Sequence, residues 1–164
     1  MEPEELSGQL AQVGSSILNA ARVELYLHMR FLDLALSSLS YEMDFSVQGV
    51  GTDGYRILFH PQYLIQRYEE NRQNITRAYL HMVLHCVYRH LMRRGEREEA
   101  LWNLACDIAM ESVIDSLPYR SVRRAVSPFR RSIYREMQRK MKVLTAEGIY
   151  RALEGMGLSP GAFG

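Results

Sequence analysis

A chain of 164 residues with 47% hydrophobic and 24% charged side chains has the balance of an ordinary globular domain and is long enough to bury a core. A net charge of +1 offers no whole-chain field for nucleic acid or an anionic membrane surface. Two cysteines, Cys86 and Cys106, make no disulfide framework and point to a reducing compartment. The start Met1-Glu2-Pro3-Glu4-Glu5 is acidic and has no apolar core, so it is not a secretory signal. The leucine-rich stretch 17–39 is interrupted by Arg22, Glu24, Arg30 and Asp33, and no segment can span a bilayer. A cytoplasmic protein is the expectation.

In chain order, the pattern predicts a first helix over 15–38, capped by Ser15 or Ser16, with Leu18, Val23, Leu25, Leu32 and Leu36 on its apolar side. Its second half is apolar nearly all round, which implies burial on more than one side. Phe45 and Val47, then Tyr55, Ile57 and Phe59, alternate with polar neighbours on either side of Gly49-Val50-Gly51-Thr52-Asp53-Gly54. That reads as a β-hairpin, ended by Pro61. A second helix follows, as a short turn from Pro61 and then continuously over 68–93. A third spans 96–117 and is stopped by Pro118. From Tyr119 the chain is basic, with nine Lys or Arg between Arg120 and Lys142 against one acid, Glu136. Thr145 caps a final short helix through Leu153. The remainder, 155–164, holds four glycines and a proline and reads as a flexible tail or linker. No internal repeat is visible. The fold class is α+β, mainly α, with one domain over 1–154.

Within this frame one stretch carries chemistry: His81-Met82-Val83-Leu84-His85. Histidines at i and i+4 lie roughly 40° apart on one helix face at about 100° per residue, so their imidazoles can meet at one metal ion. Packed or surface histidines are the alternative. His90 falls roughly 180° from His81 on an unbroken helix and no glycine precedes it, so it reads as a buried or helix-end residue, with ligation the lesser possibility. On the third helix Asn103, Asp107 and Glu111 form one polar stripe, opposite Trp102, Ala105, Cys106, Ala109 and Val113. Acids within so apolar a stretch need a partner or a metal. Cys86 and Cys106 point away from His81 and Asp107 and read as small buried hydrophobes. The tyrosines and methionines read as core and interface filler. In the basic segment Arg123, Arg124, Arg130, Arg131 and Arg135 are dense enough to touch phosphates, but no aromatic platform or nucleic-acid motif accompanies them. A solvated face is the preferred reading.

The run Tyr79-Leu80-His81-Met82-Val83-Leu84-His85-Cys86-Val87-Tyr88-Arg89-His90, followed by Leu101-Trp102-Asn103-Leu104-Ala105-Cys106-Asp107-Ile108-Ala109, resembles the zincin-like metallopeptidase domain found N-terminal to von Willebrand factor A-like domains in bacteria. A leading helix, a glycine-rich hairpin beside the motif helix and the closing segment Leu144-Thr145-Ala146-Glu147-Gly148-Ile149-Tyr150 agree with it. The resemblance implies Zn2+ held by His81 and His85, with Asp107 as third ligand and Asn103 supporting them. It also implies a cleft bordered by the strand 55–59, to which an extended peptide could add. In that family a glutamate directly follows the first histidine, acting as general base on the metal's water. Here the position is Met82, which removes general base catalysis worth roughly 10²–10⁴-fold. Glu111 is the candidate substitute. The reading is therefore a metal-binding, metallopeptidase-like domain that binds peptide or protein without standard peptidase activity. An active metallohydrolase using Glu111 and a metal-free helical interaction module are the alternatives. A von Willebrand factor A-like domain after the tail and a MoxR-type AAA+ ATPase are the partners the resemblance implies.

Overall fold

The computed structural model describes residues 2–157, which belong to two compact units: 2–87 with Tyr119–Val122, and Tyr88–Pro118 with 123–157. The fold is α+β and mainly α, as expected, with one small sheet. No described helix is long and apolar enough to cross a membrane.

The first unit begins with helix α1, Pro3–His28. Proline in the first turn followed by Glu4 and Glu5 is a helix start that suits the positive end of the dipole. The helix therefore starts twelve residues before the serines proposed as its cap. It also stops earlier, because the chain turns at Met29 to bury Met29, Leu36 and Leu39. The remainder of the predicted helix is a 3-10 turn, Arg30–Leu32, and a short helix α2, Asp33–Ser37. There the Ser37 and Ser38 hydroxyls donate to the carbonyls of Asp33 and Ala35, a local competition that helps end α2.

Three strands follow: β1 Ser40–Met43, β2 Val50–Thr52 and β3 Arg56–Phe59, in the order β1-β3-β2. β1 runs parallel to β3, pairing Tyr41 with Ile57. β2 and β3 form the expected antiparallel hairpin, pairing Gly51 with Leu58. Its first strand lies inside the glycine-rich run, not at Phe45 and Val47. The Asp44 carboxylate accepts from the Ser46 amide and hydroxyl, and this local turn takes that segment out of the ladder. At the hairpin turn Asp53 accepts from the amides of Tyr55 and Arg56, which holds its carboxyl down at about 2, and Gly54 takes a φ of 95°. β3 is the central strand, hydrogen-bonded on both sides, so a peptide cannot add to residues 55–59 as the resemblance implied.

Ile57 and Phe59 of β3 are buried in the core, and the Phe59 ring lies against α1. Gly14 of α1 is where they meet: a Cβ there would lie 2.2 Å from Cε2 of Phe59, whose ring is fully buried. Gly14→Ala should therefore destabilise the chain by about 1–3 kcal/mol despite the better helix propensity of alanine. A urea midpoint equal to or above wild type would contradict this packing.

Helices α3, Pro61–Glu70, and α4, Arg72–Val87, complete the unit. The predicted continuous helix is broken at Asn71, which is extended and whose side chain accepts from the Gln73 amide, starting α4 afresh. Buried Arg77 donates to the Val122 carbonyl and ties the 3-10 turn Arg120–Val122 to α4.

In the second unit, α5 spans Glu99–Ser116, close to the predicted third helix. Glu98 caps it, accepting from the Ala100 and Leu101 amides. α6, Pro128–Lys140, is capped by Ser127 and forms where the sequence showed only a basic run. α7, Ala146–Met156, is capped by Thr145 as expected. It continues past Leu153 to end at Gly157 with a φ of 64°, so 155–156 are helical. The rest of the proposed tail, 158–164, lies outside the described residues. α7 packs on α5 through Trp102, Ile149, Tyr150 and Leu153, with the Arg97 guanidinium over the Trp102 and Tyr150 rings.

Candidate metal centre

α4 buries Ile75, Tyr79, Leu80, Met82, Val83 and Leu84 and keeps His81 and His85 half-buried on another face. The four-residue spacing brings the two rings together, with centroids 4.5 Å apart and the Nε2 atoms at 2.7 Å. At that separation one ring N–H donates to the other ring's nitrogen, and with that proton gone both nitrogens are available as ligands to one ion. Zn–N bonds of about 2.0–2.1 Å at tetrahedral angles place two nitrogens about 3.3 Å apart, a small opening of these rings. Met82, on the same turn, is buried and carries no titratable group.

Cys86 is half-buried, with its sulfur 3.9 Å from the Thr52 hydroxyl of β2, and burial pushes its thiol up. Cys106 is buried on α5 and its thiol is pushed to about 12, chiefly by desolvation. Cys106 is the small buried group expected, whereas Cys86 is only half-buried.

Asp107 is half-buried on α5, one turn before Glu111, whereas Asn103 at the head of the stripe is exposed. Glu111 is engaged by an arginine of the basic segment read as a solvated face: Arg130 Nη2 donates to Glu111 at 2.8 Å and to Asp115 at 2.7 Å. The Tyr134 hydroxyl also donates to Asp115, at 2.6 Å. Arg130 is buried, so this arginine faces carboxylates within the unit and not a solvent-borne phosphate. The signal for Asp115 was present in the sequence, since it continues the four-residue spacing of Asn103, Asp107 and Glu111.

His90 is buried, stacked on Tyr88 and edge-on to Trp102, and its carbonyl accepts from the Trp102 indole at 2.9 Å. The unbroken helix assumed for its direction does not reach it. α4 ends at Val87, and Arg89 adopts a φ of 57°, a turn that forms without glycine.

The model of a family described as "Putative metallopeptidase domain" matches residues 14–163, and the chain belongs to that family. No curated protein and no solved structure matches the chain.

Proposed function

We propose that this chain is a metallopeptidase-like domain that holds a zinc ion on His81, His85 and Asp107 and binds a peptide or protein segment without standard peptidase turnover. The observation that carries the reading is the convergence of the His81 and His85 Nε2 atoms to 2.7 Å on one face of α4. Two further facts support it. The chain belongs to a metallopeptidase-type family, and Asp107, the carboxylate that the resemblance gives as third ligand, is half-buried on α5. Two imidazoles and a carboxylate fit a divalent ion such as zinc and leave a position open. When bound, the ion supplies Lewis acidity toward a carbonyl oxygen and toward water.

The chain's own residues explain the missing turnover. The Met82 thioether can neither take up nor deliver a proton at neutral pH. Glu111 is engaged by the Arg130 guanidinium at 2.8 Å in an ion pair within the second unit. For an extended peptide, β2 is the sheet edge beside the motif helix, with Thr52 against Cys86, the residue after His85. We place the protein in the cytoplasm, with a von Willebrand factor A-like domain or a MoxR-type ATPase as candidate partners.

Metal content by plasma mass spectrometry tests the site. Protein purified without chelator should carry about one zinc per chain, lost in His81→Ala/His85→Ala. No metal in either sample after zinc is supplied would favour a metal-free interaction module. Zinc-dependent cleavage of a peptide library by wild type, abolished in His81→Ala, would favour the active hydrolase instead.

A further inference from the structure

We infer that the exposed face of α1 is a self-association surface, on which a second copy of this chain packs antiparallel. Leu6, Val13, Ala20 and Leu27 recur every seven residues and all are exposed, Leu27 by 61%. Val23 lies on the same side and is half exposed. Apolar residues at this seven-residue spacing, with Gln9, Ser16 and Val23 between them, form a partly apolar seam along which a second helix can lie. The adjoining side of α1 is already spent on the core, through Leu18, Ala21 and Leu25, with Ile17 between it and the stripe. The exposed stripe therefore has no task within the first unit.

A groove runs beside the stripe. One depression, of about 430 Å³, is lined by Val23, Leu27 and Ile75 among others, and another by Gln12, Val13 and Ser16. They share Ile17 and Tyr68, so the groove is continuous along the helix. Its middle is bordered by Ser16 and Ala20, small side chains that permit close approach of a second helix.

Charge selects the occupant. α1 opens with Glu2, Glu4 and Glu5, and its far end carries His28 with Arg30 following, while Glu24 accepts from the Thr76 hydroxyl within the same unit. An antiparallel copy sets Leu6 opposite Leu27 and Val13 opposite Ala20. The same register brings each acidic start beside a basic end, twice over by symmetry. A parallel copy would instead place like charges together at both ends. Antiparallel pairing also aligns the helix dipoles favourably.

Sedimentation velocity on the full chain over a wide concentration range tests this. Wild type should show a monomer–dimer equilibrium that weakens as salt is raised. Leu27→Glu should weaken it by about tenfold or more, with helix content by circular dichroism unchanged because Leu27 is exposed. Glu5→Arg should weaken it as well, and Glu5→Arg with Arg30→Glu in the same chain should recover it. A monomer at every concentration would overturn self-association. Dimerisation indifferent to Leu27→Glu would overturn the surface, and failure of the charge swap to recover it would overturn the antiparallel register.

Discussion

Replacing Arg130 with alanine should destabilise the second unit by about 3–5 kcal/mol, the cost of breaking a buried ion pair from one side. The Arg130 side chain is 3% exposed, Asp115 6% and Glu111 15%, so water can replace little of what is lost. One guanidinium nitrogen, Nη2, serves both carboxylates and also donates to the Tyr134 hydroxyl at 3.1 Å. Its removal takes this guanidinium away from two acids one helical turn apart on α5. Burial and the hydrogen bond to Asp115 raise the Tyr134 phenol far above its ordinary range, so it remains a donor but cannot supply charge. The chain has a single tryptophan, Trp102, buried in the same unit, so fluorescence-detected urea unfolding reports on the right region.

The same mechanism makes a second statement. Removing the acids together with the arginine, as Glu111→Gln/Asp115→Asn/Arg130→Met, should restore most of the stability, since a buried pair as a whole contributes little over neutral groups of similar size. If Arg130→Ala costs less than about 1 kcal/mol, the network is better solvated than its geometry implies, and Glu111 would return as a base candidate.

Zinc should raise the melting temperature of the wild-type chain, and not that of His81→Ala/His85→Ala. At free zinc about 1,000-fold above its dissociation constant the stabilisation is about 4 kcal/mol. For a chain of this size each 1 kcal/mol moves the midpoint by about 2–4 °C, so a shift of roughly 8–16 °C is expected. Asp107→Asn should reduce the shift without abolishing it, because two imidazoles remain. The shift should also shrink as the pH is lowered, since protons compete with the metal for the ligand nitrogens. Equal shifts in wild type and the double variant would assign the zinc to some other place on the surface.

Local signals were legible where a residue acts on its own neighbourhood. Thr145 caps α7, Pro118 follows the end of α5, and Asp53-Gly54 turns the hairpin, because each needs only backbone a few residues away. The His81 and His85 pair was legible for the same reason: four residues on a helix determine that two side chains meet, whatever surrounds them. Even the early start of α1 was written in Pro3, Glu4 and Glu5; the weight given to the serines hid it.

Long-range pairing was not legible. β1 lies parallel to β3, and nothing within Ser40–Met43 says which strand it will join. The central position of β3 follows from that pairing alone, and with it the loss of the peptide edge the hairpin seemed to offer. Arg130 read as one more cation in a basic run until α6 placed it against Glu111 and Asp115. By itself, then, the sequence determined the helical class, the caps and the imidazole pair, all set by contacts within a few residues. Tertiary structure alone decided the strand order, the break at Met29 and the fate of the α5 acids. Those depend on which distant surfaces exclude water together, and burial can reverse the meaning of a charge that local pattern leaves open.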